Sequence, residues 1–75
     1  MQADVNAQDN VGYTALHRAA HNGQLEMCKY LVEEAKIDIW IVCDNGLTAF
    51  QVAIKFGHAA TANWLLEKTA INPPR

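Results

Sequence analysis

Asp9-Asn10-Val11-Gly12-Tyr13-Thr14-Ala15-Leu16-His17-Arg18-Ala19-Ala20-His21-Asn22-Gly23 is echoed 34 positions later by Cys43-Asp44-Asn45-Gly46-Leu47-Thr48-Ala49-Phe50-Gln51-Val52-Ala53-Ile54-Lys55-Phe56-Gly57. Gly12, Thr14, Ala15, Ala19 and Gly23 meet identical residues in the second copy. The match extends outward to Asp4/Asp38, Leu31/Leu65, Glu33/Glu67 and Ile37/Ile71, and it keeps character at Val5/Ile39, Tyr30/Trp64 and Val32/Leu66. Self-similarity at this period is the signature of stacked repeats, each burying its apolar face only against its neighbours. Such an architecture offers a surface for recognition rather than a reaction centre.

Within each copy the order is turn, helix, turn, helix, extended arm. Gly12 and Gly46 make turns, and Thr14 and Thr48 are N-caps; Thr48 with Gln51 spells a capping box. The first helices run over about 15–21 and 49–56, and Gly23 and Gly57 end them. The second helices run over about 25–34 and 59–68. Met27, Cys28, Leu31 and Val32 form the apolar stripe of one, and Ala62, Leu65 and Leu66 that of the other. Mid-helix Ala19 and Ala53 let the paired helices approach closely. The β-branched run Ile37-Asp38-Ile39-Trp40-Ile41-Val42-Cys43 reads as an extended, hairpin-like arm that packs over the helices or an adjoining arm. The expected fold class is therefore an all-α helix-turn-helix solenoid with short β-hairpin-like arms.

Residues 1–8 read as the arm of a preceding repeat, 9–42 and 43–72 as two repeats, and 73–75 as a tail, with Ile71-Asn72 opening a further arm. Neither helix pair carries a polar capping unit, so the chain reads as a segment of a longer array, able to self-associate through bare ends. Seventy-five residues fit one small domain, and an apolar fraction of 51% argues against disorder. A net charge of −2 with interspersed signs lacks the basic stripe of a nucleic-acid binder. No apolar run reaches the roughly 20 residues that cross a bilayer, so no membrane insertion is expected. The polar start Met1-Gln2-Ala3-Asp4 is no secretory signal, and two cysteines in dissimilar settings fit reduced thiols in an intracellular protein, cytoplasmic or nuclear.

The string from Asp9 to Gly23 closely resembles the ankyrin repeat, whose hallmark is D-x-x-G-x-T-P-L-H-x-A-A-x-x-G. Leu25 to Glu33 resembles that family's second helix, and Ala3-Asp4-Val5-Asn6-Ala7 its arm, so the likeness covers residues 3 to 72. Departures from the pattern are Ala15 and Ala49 for proline, Gln51 for the motif histidine, an extra residue near Ala35, Lys36 and Ala70 near the usual helix-ending glycine, and Trp40 for asparagine. The resemblance implies an ankyrin-type solenoid, a structural hydrogen bond from His17 near Thr14, and binding of a protein or peptide by hairpin tips and the concave face of the first helices. By position those residues are Asn10, Val11, Tyr13, Asp44, Asn45 and Leu47 at the tips. On the helix face they are Arg18, His21, Asn22, Val52, Lys55 and Phe56. Flanking repeats are the other partners implied.

Residue chemistry agrees with recognition. Tyr13, Arg18 and Phe56 are types enriched in interface cores and hot spots. His17 and His21, four apart, could share a metal, but no third ligand has suitable spacing. Cys28 lies on an apolar helical stripe and is expected inert. Asp44-Asn45-Gly46 supplies too few hard ligands for calcium and reads as a turn. Trp40 and Trp64 fit packing better than a stacking platform. No catalytic residue or cofactor is expected. Two alternatives remain: a spacer touching only flanking repeats, and a regulatory segment of a larger enzyme or channel.

Overall fold

The computed structural model describes residues 4–71. It contains α1 (Ala15–His21), α2 (Leu25–Glu33), α3 (Ala49–Lys55) and α4 (Ala59–Ile71). Helix α1 packs on α2 and on α3, α3 packs on α4, and α2 touches α4. Two helical hairpins therefore lie side by side in the same orientation, within extents of 35 × 25 × 24 Å.

Local chemistry starts each first helix. The Thr14 hydroxyl accepts from the His17 amide, while the Thr14 amide donates to His17 Nδ1 at 3.2 Å. In the second copy the Thr48 hydroxyl accepts from the Gln51 amide, and the Thr48 amide donates to Gln51 Oε1 at 2.9 Å. Both are reciprocal capping boxes. Each first helix then closes with a glycine at positive φ, where the Gln24 and His58 amides donate to the Ala19 and Ala53 carbonyls. This is the bonding of a Schellman turn.

The second helices end differently. Ala35 N–H donates to the Tyr30 carbonyl and Ile37 N–H to that of Leu31, a widened last turn that absorbs the extra residue of this connection. Lys36 consequently takes φ +59, a left-handed conformation costing a side-chain-bearing residue about 1–2 kcal/mol. Ala70, its counterpart, is a strong helix former and stays helical. Helix α4 thus continues through Ile71, correcting the expectation that Ile71 opens a further arm; Asn72 and the tail 73–75 lie outside the described residues.

The core joins both hairpins: Leu16, Ala19, Ala20, Cys28 and Leu31 from the first, Ala49, Val52, Ala53, Ala62 and Leu65 from the second. Ile37 and Ile39 of the connecting arm are buried with them. Among the described residues the arms form no strands. The arm turns at Ile39–Trp40 because side chains capture its amides, which competes with ladder formation: Asn6 Oδ1 accepts from Asp38 N and Asp38 Oδ1 from Trp40 N. Met27 and Leu66, expected on the buried stripes, are instead 48% and 49% exposed. The α2 and α4 seams are narrower than periodicity implies, and Thr61 rather than Leu66 is buried on α4.

His17 links the hairpins. Its buried ring has Nε2 2.8 Å from the Leu47 carbonyl oxygen, so Nε2 carries the proton and donates, leaving Nδ1 to accept from Thr14. Burial lowers its pKa below the ordinary histidine value, outweighing the Leu47 carbonyl and Asp9, which act in the opposite direction. An unfolded chain protonates this histidine at its ordinary pKa, whereas the folded chain resists until lower pH. The stability it confers is therefore complete above about pH 6.5 and declines as pH falls below it. His17→Gln keeps a capping box of the Thr48 kind but loses the bond to Leu47. We expect it to cost about 1–3 kcal/mol at neutral pH and to flatten the acid limb of the stability profile, measured by urea unfolding at stepped pH. An unchanged acid slope would remove His17 as its source.

Candidate functional site

A line of rings crosses the seam between the hairpins. Tyr13 stacks on His17 with centroids 5.4 Å apart and planes at 25°. It meets His21 at 6.2 Å, and His21 meets Phe56 of the second copy at 4.2 Å. The Arg18 guanidinium stands 5.5 Å from the Tyr13 centroid at the far end of the line. Tyr13 and His21 are half-buried and Phe56 is 44% exposed, so the ridge is both supported and reachable.

The support is built from the turn upward. Asp9 Oδ1 accepts from the amides of Val11 and Tyr13, and Oδ2 pairs with Arg18. Partial desolvation raises the Asp9 pKa, but those two amides and the guanidinium outweigh it and hold the carboxyl below its usual range. Gln8 Nε2 donates to the carbonyls of Gly12 and Val42 and ties the first turn to the second arm. The Asp44 amide donates to the Val11 carbonyl at 3.0 Å, joining the two tips. Behind the ridge, His58 Nε2 lies 2.8 Å from the His21 carbonyl oxygen.

Asn10, Val11, Asp44 and Asn45 are exposed at the joined tips, and Arg18, Asn22 and Lys55 are exposed on or beside α1 and α3. Leu47 is half-buried, its carbonyl engaged by His17. Val52 is corrected: it is 0% exposed, packed in the core where α3 faces α1, and cannot touch a partner. Sequence reasoning missed Asp9, Gln8 and His58 as organisers of the site. Asp9 had a signal, since aspartate opening a D-x-x-G turn commonly binds amides ahead of it. Gln8 and His58 act through carbonyls more than thirty residues away, those of Val42 and His21, and that reach leaves no local signature.

Among the described residues no three His, Cys, Asp or Glu side chains gather as a metal site. Cys28 and Cys43 are free and buried, and burial pushes the Cys28 thiol up to about 11, far from a nucleophile's range. Trp40 and Trp64 both pack against the core, with Lys68 Nζ 5.2 Å from the Trp64 centroid. No helix among the described residues is long and apolar enough to cross a membrane.

A family model described as ankyrin repeats, three copies, matches residues 1–74. The chain belongs to the ankyrin-repeat family. Ankyrin repeat domain-containing protein 37 of the mouse is 38% identical over 63 residues, a stretch covering 84% of this chain and 39% of that protein. Among solved structures, a chain in the complex of the yeast ribosomal protein Rps3 with its chaperone Yar1 superposes with a TM-score of 0.84 at 32% identity, over 95% of this chain and 47% of that one. A chain in the complex of a predatory endopeptidase from Bdellovibrio bacteriovorus with its immunity protein superposes at 0.82 and 32%, over 88% and 34%. This ankyrin-repeat chain thus spans less than half the length of each. The family is generally a non-catalytic module for protein–protein interaction.

Proposed function

We propose that this ankyrin-repeat segment binds a protein or peptide along the ridge Tyr13–His21–Phe56, with the joined tips Asn10, Val11, Asp44 and Asn45 beside it. The observation that carries this reading is the unbroken line of partly exposed rings across both repeats, fixed in place before any partner arrives. Preorganised aromatic surface lowers the ordering cost of association. Both solved relatives come from complexes with a protein, which supports a partner of that class. Flanking repeats would contact the ends of the stack rather than the ridge. Two buried unpaired thiols suit a compartment that keeps cysteine reduced.

The test is a peptide selected from a displayed library against this chain, with binding followed by fluorescence anisotropy. Tyr13→Ala and Phe56→Ala should each weaken it about tenfold or more, as hot-spot truncations do, with the circular-dichroism melt retained. Asn63→Ala, on the exposed side of α4, should leave affinity unaltered. Selected peptides indifferent to both ring deletions would favour a spacer that only stacks on its neighbours.

A further inference from the structure

Charge is sorted between the two layers of helices. None of the eight acidic residues falls in α1 or α3, whose formal charges are the cations Arg18 and Lys55. The second helices are mixed, with Lys29 paired to Glu26 and Lys68 to Glu33. Both first-layer cations are exposed and border the line of rings. Arg18 stands at one end, 5.5 Å from the Tyr13 centroid. Lys55 stands at the other, directly before Phe56 in the chain. It also holds, 34 residues on, the place of His21, the middle ring of the ridge. Lys55 therefore leaves α3 on the side from which His21 leaves α1. Among the described residues no carboxylate forms an ion pair with it. Asp9 meets Arg18 through Nη2, and a guanidinium offers five N–H donors, so Arg18 can receive a further carboxylate.

We infer that the ridge takes an acidic peptide: an apolar side chain rests on His21 and Phe56, and a carboxylate on either side of it meets Arg18 and Lys55. The inference rests on the ridge as the binding surface and adds the chemistry of the partner. The steps from Tyr13 to His21, 6.2 Å, and from His21 to Phe56, 4.2 Å, are covered by about three residues of extended chain at about 3.4 Å each. The acids therefore flank an apolar core of that length. Peptide carboxylates suit this surface better than the phosphates of a nucleic acid. Exposed Asp44 at the joined tips and the net charge of −2 repel a long polyanion, whereas a short peptide meets only the two cations. The rings supply contact area, and opposite charge at the rim selects the partner and speeds encounter.

The probes are peptides selected from a displayed library on the unmodified chain, then synthesised and titrated by fluorescence anisotropy. Those that lose binding to Phe56→Ala are expected to carry Asp or Glu in excess of Lys and Arg on both sides of an apolar core. Lys55→Glu should weaken them about fivefold or more, since it replaces an attraction by a repulsion. Raising sodium chloride from about 0.05 to 0.5 M should weaken them too. Lys29→Glu makes the same change of charge on α2, away from the ridge, and should leave affinity as it is. Ridge-dependent peptides with no acidic excess would overturn the inference and leave the ridge standing. Equal losses from Lys55→Glu and Lys29→Glu would also overturn it, because net charge alone would then be sensed. Peptides indifferent to both Tyr13→Ala and Phe56→Ala would remove the ridge, and this inference with it. If Lys55→Glu lacks a melting transition, Lys55→Gln serves in its place, with an expected loss of about twofold.

Discussion

In a chain carrying Val52→Asp, the cooperative thermal transition seen by circular dichroism is expected to be lost at neutral pH. Aspartate is smaller than valine, so the loss comes from the buried charge rather than from overpacking. Val52 is wholly buried where α3 faces α1, and no cation lies in the core around it. An unpaired carboxylate there has lost its water with nothing in return, a penalty that exceeds what a small fold can absorb. At roughly 0.05–0.15 kcal/mol per residue, a chain of this length has about 4–11 kcal/mol to lose. Protonation relieves part of the penalty, so a residual transition should return below the ordinary carboxylate range. Val52→Thr, which adds only an unsatisfied hydroxyl, should cost about 1–3 kcal/mol and keep the transition. A Val52→Asp chain that melts like its parent would put α3 the other way round, with Ile54 inward.

The second large effect separates two glycines that are interchangeable in the sequence pattern. Gly12 and Gly46 sit at φ +83 and +78, so alanine is strained at both. Their surroundings differ. A Cβ on Gly12 would stand 2.6 Å from the Asp44 backbone nitrogen and 3.0 Å from Cys43 Cα, whereas one on Gly46 would meet nothing within 4 Å. Gly46→Ala should therefore cost only the left-handed strain, about 1–2 kcal/mol. Gly12→Ala adds overpacking against backbone that cannot rotate away and breaks the Asp44–Val11 bond, for a total of about 3 kcal/mol or more. Urea unfolding of the two variants measures the difference directly. Equal losses would mean that the tips of the two repeats do not touch.

The ridge was partly legible before any coordinates. Tyr13, Arg18, His21 and Phe56 stand off the apolar stripes, and the fold does bring them into one line. Two of their supports were not legible, because Gln8 reaches to Val42 and His58 to His21 over more than thirty residues. Val52 shows the limit most clearly. On a seven-residue helix with Val52 and Ile54 both apolar, composition cannot say which turns inward.

By itself the sequence determined the 34-residue repeat and whatever is decided within about five residues: the threonine caps, the glycine stops and the order of α1 to α4. Those features depend on bonds between near neighbours in the chain, so the pattern of residue types suffices to specify them. The tertiary structure alone decided which side of α3 is core and which distant carbonyls Gln8 and His58 reach. Each of these depends on what lies across the seam, where packing and desolvation outweigh local propensity.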